Sequence, residues 1–491
     1  MNLHDYTAQD ALGLAKLIEN RDVAAHEVMA AALEAYNLVN PDLNAVVGIW
    51  PDEVIMPQSE RAKNAAFPSV PFLIKDLGAT RAGRASELGS RIAAGMVALA
   101  DSNLMKRFRQ SGLIPIGRTS TPEFAISTTT ESVTTGPTRN PWNISRSAGG
   151  SSGGSGAAVA SGIVPLAHAT DGGGSIRVPA AVNGLFGLKP TRGRVSNGPF
   201  VDEVWSGLAV QFGVSRTVRD SAALLDAVHG GGIGEPYYIP SPENTFLSTL
   251  DADPHPLRIG FMLHPLNGQQ TSRAVADQLC LIAKLCENLG HDVEEVQLDL
   301  GVSWEAFVHA NAQFWGVNTA AWIDLVARLT GRKPDRDVLE PATSAIYAYG
   351  REITGLNMLQ ALDTRNTVTR VLGAFFEQYD VLLTPTLPNL PPLIGEYNSG
   401  QDHLDGLEWV ERVFSYSPFT AAANVAGIPA MSVPLSVDAA TGMPVGSQFT
   451  AGFGQEPLLF SLAGQLERAL PWIGRQPRFW AGRLGAEVGF T

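Results

Sequence analysis

Apolar positions along the chain follow two periods that alternate. A spacing of three to four residues predicts helices over 7–20, 25–39, 102–111, 218–229, 272–289, 303–329, 355–378 and 457–470. Short β-branched and aromatic runs predict strands over 44–50, 70–75, 113–117, 163–169, 257–262, 293–298, 380–384, 430–437 and 444–450. Thr7 and Asp10 suggest a capping box at the start of the first helix. The alternation of the two element types indicates an α/β fold.

Composition places the chain among globular proteins. Of 491 residues, 45% are hydrophobic and 17% are charged, so a large core can form and a wholly disordered chain is excluded. The formal net charge is −13, with no run of five or more basic residues. Binding to a nucleic acid backbone depends on clustered cations, so we do not expect a nucleic acid partner.

Nothing in the sequence predicts a membrane segment or a secretory signal. The first ten residues carry an early acid and no apolar run, and the nearly apolar stretch 156–169 is shorter than the roughly 20 residues that span a bilayer. We therefore expect a cytoplasmic protein. Cys280 and Cys286 lie about 9 Å apart if they share one helix, which is beyond disulfide reach, and we expect both to be buried thiols.

Two glycine loops and one lysine are the candidate chemistry. Residues 149–156 read GGSSGGSG and residues 170–175 read TDGGGS, and each run is followed by a short predicted helix. The two loops would meet if the strands of this region are neighbours in the sheet. Lys75 ends an apolar strand, and a charged residue at that position is a further candidate for the site.

Several chemistries could use such loops. Nucleotide binding by a P-loop needs a Gly-Lys-Ser/Thr sequence, which the chain does not contain. A nucleophile elbow at Ser151 should follow a buried strand, but polar residues 145–148 precede it. His168 is near enough in sequence to partner a serine, or it lies in the core as part of a strand.

Ser175 is the remaining nucleophile candidate. The glycines before it, Gly172, Gly173 and Gly174, would let backbone N–H groups converge on one point, as an oxyanion requires. The alternative is that these glycines form only a turn between a strand and a helix.

Together these residues resemble the amidase signature family. The similarity rests on the run 149–156, on Thr170-Asp171 with Gly173-Gly174-Ser175-Ile176-Arg177, and on Gly187-Leu188-Lys189-Pro190-Thr191. It extends to Lys75-Asp76, to residues 121–123 and 138–142, and to the closing segments 424–429 and 442–446, and it is thinnest over 235–375.

The resemblance implies a Ser-Ser-Lys triad of Ser175 as nucleophile, Ser151 as proton relay and Lys75 as base. It also implies a cis peptide bond between Gly150 and Ser151. A lysine acts as a base at neutral pH only if its pKa is lowered by roughly 2 to 3 units, and burial can supply that shift. Asp76 would oppose the shift if it were close, but adjacent strand residues point to opposite faces.

The same resemblance assigns further roles. Gly172, Gly173 and Gly174 would form the oxyanion hole, whereas Asp171 and Arg177 would orient the two loops rather than touch the substrate. Many family members carry a larger residue at the position of Gly172, so this glycine should leave the loop somewhat less preorganised.

The implied fold is a central mixed, twisted β-sheet covered on both faces by helices. We expect one amidase domain over 1–491, with a helical arm (1–69), a signature core (70–230), a mainly helical variable region that shapes the pocket (231–380) and a return to the sheet (381–491). A Pro-rich passage over 384–394 should loop across the surface.

The implied activity is hydrolysis of C–N bonds through an acyl-enzyme, without a metal or cofactor. Local sequence is most similar to 6-aminohexanoate cyclic dimer hydrolases, which points to neutral, fairly hydrophobic amides: linear or cyclic amides, anilides or carbamates. The alternative is the glutamine-amide-cleaving subunit of an amidotransferase, but residues 191–199 differ from that subgroup's usual sequence. We expect a monomer or homodimer.

Pocket walls are expected from residues 124–130 and from the helix that carries Phe307, Phe314, Trp315 and Trp322. Phe307 and Phe314 are seven residues apart, as are Trp315 and Trp322, and this spacing places each pair on one helix face. These four side chains therefore either line the pocket or form part of the core.

Overall fold

The computed structural model describes residues 1–53 and 65–488. Its α-helices are α1 (Leu3–Ala8), α2 (Ala11–Glu19), α3 (Ala25–Leu43), α4 (Asn103–Gln110), α5 (Gly153–Ala160), α6 (Arg177–Asn183), α7 (Val218–Val228), α8 (Arg273–Asn288), α9 (Trp304–Thr330), α10 (Pro341–Glu352), α11 (Gly355–Phe375), α12 (Gly406–Tyr416), α13 (Ala421–Ala426), α14 (Glu456–Ala469) and α15 (Ala481–Val488).

Its strands are β1 (Val46–Ile49), β2 (Pro71–Lys75), β3 (Ile114–Thr119), β4 (Glu131–Ser132), β5 (Gly136–Pro137), β6 (Arg139–Asn140), β7 (Asn143–Ser147), β8 (Leu166–Asp171), β9 (Phe186–Lys189), β10 (Val210–Ser215), β11 (Arg258–Phe261), β12 (Asp292–Glu295), β13 (Val381–Pro385), β14 (Ala430–Val437) and β15 (Pro444–Ala451).

Eleven of these strands form one mixed sheet. Their order is β1-β3-β2-β8-β10-β9-β14-β15-β13-β11-β12. β2 runs parallel to β3 and to β8, whereas β10, β9, β14 and β15 are antiparallel to their neighbours. β2 and β8, whose ends carry Lys75 and Asp171, are therefore direct neighbours, which brings Lys75 close to the loop 170–175.

Helices cover both faces of the sheet. In β13, Val381 and Leu383 belong to one hydrophobic core, and Leu382 between them belongs to a second core. Successive strand residues point to opposite faces, so the two cores lie on the two sides of the sheet. The first core contains residues of α3, α5, α7 and α14, and the second contains residues of α9 to α13. The predicted fold class is confirmed.

The N-terminal helix is broken where the sequence predicted one continuous helix. Gln9 is extended, and Asp10 is the N-cap of α2, where its side chain accepts the N–H of Gly13. Thr7 instead donates its hydroxyl to the carbonyl of Leu3 within α1. The predicted capping box of Thr7 and Asp10 is therefore wrong, because Asp10 begins a second helix.

Other predicted features also need correction. β8 begins three residues later than predicted, and β9, β10, α10 and α12 were not predicted. Cys286 is buried in α8, but Cys280 on the same helix is exposed. The Pro-rich passage does not lie wholly on the surface, since residues 384–388 are buried.

Within residues 1–53 and 65–488, none of the helices combines the length and the apolar character needed to cross a membrane. Residues 54–64 of the predicted helical arm lie outside the described residues, as do residues 489–491 at the end of the predicted C-terminal segment.

Candidate active site

Lys75 ends β2 with its side chain fully buried. Its Nζ donates to Ser151 Oγ at 2.7 Å and to Thr170 Oγ1 at 2.8 Å. The lysine therefore joins both glycine loops, since Ser151 belongs to the first loop and Thr170 begins the second.

Burial lowers the pKa of Lys75 well below its usual value, and the negative charge of Asp171 opposes this shift only in part. The neighbouring Asp76 does not contact the ammonium group. Its carboxylate points to the other side of the strand and pairs with Arg118 at 2.8 Å, as the alternation of strand side chains predicts. Lys75 thus has the environment that favours a neutral amine.

His168 lies in the core beneath the lysine. Its Nδ1 accepts the backbone N–H of Lys75 at 3.3 Å, and its Nε2 faces Gln211 Oε1 at 3.1 Å. Burial lowers the pKa of His168 to about 3. A neutral, fully buried imidazole with both nitrogens engaged fits the core interpretation of this residue.

The two glycine loops are in direct contact. Ser152 Oγ accepts the N–H of Thr170 at 3.2 Å and faces the carbonyl of the same residue at 3.3 Å. The peptide bond between Gly150 and Ser151 is cis, as the resemblance implied. Thr130 supports this turn from the side, because its Oγ1 donates to the carbonyl of Gly149 and accepts the N–H of Gly153.

Ser175 lies on the turn between β8 and α6. It is half-buried, whereas Asp171, Gly172, Gly173 and Gly174 are all buried. Within the described part of the chain, its Oγ has no hydrogen-bond partner, Ser151 included. The hydroxyl of Ser175 therefore remains available to a ligand.

The backbone of this loop differs in one detail from the expected oxyanion hole. The N–H of Gly174 donates to Asp171 Oδ1 at 2.7 Å, so this donor is already engaged. The N–H groups of Gly172, Gly173 and Ser175 have no recorded acceptor among the described residues. Thr420 donates its hydroxyl to the carbonyl of Gly173 at 2.5 Å, which fixes the peptide plane that follows Gly173.

Asp171 and Arg177 form a buried ion pair with an N–O distance of 2.9 Å. Asp171 also accepts the N–H groups of Gly174 and Ile176 on either side of Ser175. Burial raises the pKa of Asp171, but Arg177 outweighs this effect and holds it at about 2. Asp171 thus anchors the backbone on both sides of Ser175, and Arg177 in turn anchors Asp171.

Arg177 also ties the loop to the C-terminal part of the chain. Its Nη1 donates to the carbonyl of Thr420 at 2.8 Å and to Gln448 Oε1 at 2.9 Å, and its Nη2 donates to Asn424 Oδ1 at 2.6 Å. These contacts connect α6 with α13 and β15. Orientation of the loops by Asp171 and Arg177 stays a prediction, and these contacts are the structural basis on which it can be tested.

Aromatic side chains enclose the glycines of this loop. Phe307, Phe314 and Trp315 are buried in the second core, as the seven-residue spacing allowed, whereas Trp322 is half-buried beside Phe124. Trp315 packs against Gly173, so it belongs to the core and also borders the loop.

Three supporting residues were not identified as such from the sequence. Thr170 contacts the lysine, Thr130 supports the first loop and Trp205 covers Gly172. Thr170 stood within a motif, but its contact depends on the register of β2 against β8, which no local pattern encodes. Trp205 had no signal beyond being a large apolar residue in a segment to which no element was assigned.

Across residues 1–53 and 65–488, His, Cys, Asp and Glu side chains do not gather in groups of three that could hold a metal ion. The candidate reactive groups at the loops are the hydroxyls of Ser151 and Ser175, the amine of Lys75 and backbone N–H groups.

Comparison with known proteins gives consistent matches over nearly the whole chain. The Amidase family model matches residues 27–460. The 6-aminohexanoate-cyclic-dimer hydrolase of Paenarthrobacter ureafaciens is 34% identical over 487 residues, which cover 96% of each chain.

Two solved structures extend this similarity to the fold. A 6-aminohexanoate cyclic dimer hydrolase superposes with a TM-score of 0.90 at 33% identity, covering 96% of this chain and 99% of the other. A bacterial aryl acylamidase of the amidase signature family superposes with a TM-score of 0.84 at 26% identity, covering 97% and 98%.

Proposed function

This chain belongs to the amidase signature family of hydrolases acting on C–N bonds, and from that premise we propose that it is a serine amidohydrolase with Ser175 as nucleophile, Ser151 as proton relay and Lys75 as base. The observation that carries the assignment is the contact of 2.7 Å between Lys75 Nζ and Ser151 Oγ. A buried amine of lowered pKa in contact with a hydroxyl is the arrangement that a proton relay needs.

In the first half of the reaction, Ser175 Oγ attacks the carbonyl carbon of the amide. Its proton passes to Ser151 Oγ while the proton of Ser151 passes to Lys75 Nζ. The carbonyl oxygen becomes an oxyanion, which the N–H groups of Gly172, Gly173 and Ser175 bind in this proposal. Collapse of this intermediate breaks the C–N bond, and the amine leaves with the proton returned through Ser151.

In the second half, water attacks the carbonyl of the acyl-enzyme and loses a proton along the same relay. The ester bond to Ser175 breaks, and the carboxylic acid leaves as the serine recovers its proton. Lys75 begins and ends each half-reaction as a neutral amine, so the cycle needs no other proton acceptor. A carbamate would follow the same steps and then lose carbon dioxide from the released acid.

The substrates we propose are neutral, fairly hydrophobic amides, in linear or cyclic form, together with anilides and carbamates. Support comes from the aromatic residues beside the loop, Trp205, Trp315 and Phe414, which favour an apolar ligand. The names of two similar proteins, a cyclic dimer hydrolase and an aryl acylamidase, point to amides of this kind.

The test uses the purified chain and its Ser175→Ala variant with five substrates: an anilide, a linear nylon-type amide, a cyclic dimer, glutamine and an aryl carbamate. Amine release is followed by mass spectrometry. We expect the parent to hydrolyse at least one hydrophobic member and the variant to hydrolyse none.

Other outcomes would contradict parts of the proposal. Equal release by parent and variant would exclude Ser175 as the nucleophile. Hydrolysis of glutamine alone would favour the amidotransferase-type activity instead. As a fold control, both proteins should unfold at similar temperatures, since Ser175 makes no side-chain hydrogen bond to the rest of the described chain.

A further inference from the structure

Gly172 lies directly against the indole of Trp205. A Cβ at position 172 would stand 2.6 Å from Cε3 and 2.8 Å from Cζ3 of this tryptophan. Carbon atoms in ordinary contact lie about 3.5–4.0 Å apart, so Trp205 occupies the space that a side chain at 172 would need. A side chain at position 172 and the indole of Trp205 therefore exclude each other, because both would occupy the same space.

Trp205 is held in place by the turn that carries it. Trp205 and Ser206 both have left-handed backbone conformations, with φ of 52° and 54°, which are uncommon for residues other than glycine. Asn318 of α9 donates to Ser206 Oγ at 2.9 Å, and Arg365 of α11 donates to the carbonyl of Ser206 at 2.5 Å. Two helices outside the glycine loops therefore fix this turn.

Trp315 extends the same contact to the next glycine. Its ring lies 4.3 Å from that of Trp205, centroid to centroid. Its Cζ2 would stand 3.0 Å from a Cβ at Gly173, and Phe414 packs edge-on against Trp315, with the ring centroids 5.5 Å apart. The two indoles, tilted by 38° to each other, thus cover Gly172 and Gly173 together.

Hydrogen bonding does not account for this pair. The Nε1 atoms of Trp205 and Trp315 are both buried without a hydrogen-bond partner in the described part of the chain. Buried indole N–H groups normally find an acceptor, and an unsatisfied one costs stability. The contribution of the two residues at this position is therefore the shape and rigidity of their rings.

We propose that Trp205 and Trp315 form a clamp that positions the N–H groups of Gly172 and Gly173 for the oxyanion. The proposal rests on the proposed function, because it assigns a purpose to the backbone donors of that reaction. Glycine adds backbone freedom, and an oxyanion hole works only if its donors are preorganised. The clamp offsets the flexibility that the sequence predicted for Gly172.

The clamp can be tested by exchanging volume between the two positions. Gly172→Ala adds the Cβ that would collide with the indole, Trp205→Leu removes the two colliding atoms, and the double variant combines both changes. The readout is the rate constant with which a fluorophosphonate labels Ser175, measured by intact mass. This probe needs the nucleophile and the oxyanion donors but not the natural substrate.

We expect each single variant to be labelled at least about tenfold more slowly than the parent, since losing one oxyanion donor costs roughly 10²–10³ in rate. The double variant should regain most of this loss, to within about threefold of the parent, because the added methyl then fills the vacated space. Two results would overturn the clamp. One is a double variant in which the reductions in the labelling rate constant multiply, and the other is a pair of single variants that are labelled at the parental rate.

Two controls separate this result from a folding defect and from failure of the proposed function. Trp472 is another buried tryptophan, and its indole N–H donates to the carbonyl of Arg216, away from the loops. Trp472→Leu should lower the melting temperature without changing the labelling rate constant. A merely structural role of Trp205 would reduce the labelled fraction but leave the rate constant unchanged. A parent chain that is not labelled at all would contradict the proposed function itself.

Discussion

Lys75 Nζ and Ser151 Oγ lie 2.7 Å apart although 76 residues separate them along the chain. The contact joins the end of a buried strand to a serine in a glycine loop, without an intervening carboxylate or imidazole. Asp76 faces Arg118, and His168 contacts the lysine only at its backbone N–H. Among the described residues, Lys75 is the one side chain in hydrogen-bond contact with Ser151 Oγ, so the proposed roles of the two residues can be tested by mutation.

The first prediction concerns the coupling of these two residues. Lys75→Ala and Ser151→Ala should each lower kcat/KM by about 10²–10⁴, the range of general acid–base catalysis. The kcat/KM of the double variant should be no lower than that of the less active single variant, because both substitutions interrupt the same proton relay. The measurement is a double-mutant cycle on the best substrate of the panel.

A surface lysine provides the control for this cycle. Lys284 on α8 is exposed and pairs with Glu287 on the same helix, so Lys284→Ala should retain the parental kcat/KM. If the fold-losses in kcat/KM of Lys75→Ala and Ser151→Ala multiply in the double variant, the two side chains act independently and the proposed relay is wrong.

The sequence predicted the fold well where the apolar pattern was strong. The runs that became β2, β11, β13, β14 and β15 were all recognised, because each is an apolar stretch bounded by turn residues. β9 and β10 were missed: FGLK is only four residues long, and the alternation of VQFGVS, which is typical of a strand, was not recognised. Both lie in the middle of the sheet, where tertiary packing rather than local propensity defines the strand.

The site was predicted less evenly. The triad residues came from the resemblance, whereas the contacts around them depend on how distant strands pair. Leu73 of β2 pairs with Ala167 of β8, and this register brings Thr170 to Lys75 Nζ. Gly174 was expected to serve the oxyanion, but its N–H is engaged by Asp171, a detail of loop geometry that residue types do not specify.

The second prediction follows from the lowered pKa of Lys75. The native chain binds fewer protons at this site than the unfolded chain does, between the folded pKa and the usual value of 10.5. Native stability should therefore rise with pH over this window, by about 1.4 kcal/mol per pH unit from this group. Lys75→Met removes this dependence and should be more stable than the parent at pH 7, with a difference that shrinks toward pH 10.

Urea unfolding of both proteins at pH 7, 8 and 9 measures this effect. Lys189 is also buried, and burial lowers its pKa to about 7, but it is present in both proteins and cancels in the difference. A stability difference that stays constant from pH 7 to pH 9 would mean that Lys75 is not neutral in the native state.

The third prediction concerns the buried ion pair behind Ser175. Arg177→Leu leaves Asp171 as an uncompensated buried carboxylate, and breaking such a pair costs about 3–5 kcal/mol. The variant Asp171→Asn with Arg177→Leu should lose less stability than Arg177→Leu alone, because no buried charge remains.

The pH dependence gives this prediction an internal check. In the parent, Arg177 holds the pKa of Asp171 at about 2, and without Arg177 burial should raise this pKa above its usual value. The native state of Arg177→Leu would then bind more protons than its unfolded state. The difference in free energy of unfolding between the variant and the parent should therefore become smaller as the pH falls from 7 to 5. A deficit that grows on acidification would contradict the assigned pairing.

The last prediction isolates the second contact of the lysine. Thr170 Oγ1 accepts a hydrogen bond from Lys75 Nζ at 2.8 Å, and Thr170→Val replaces the hydroxyl by a methyl of similar size. Loss of one such bond is worth about 1–1.5 kcal/mol, so kcat/KM should fall about tenfold, whereas Thr170→Ser should stay close to the parent. The hydroxyl also stabilises the ammonium form of Lys75, so its removal should move the acid limb of the pH–rate profile to lower pH. A valine variant with parental activity and an unmoved acid limb would show that Ser151 alone positions the lysine.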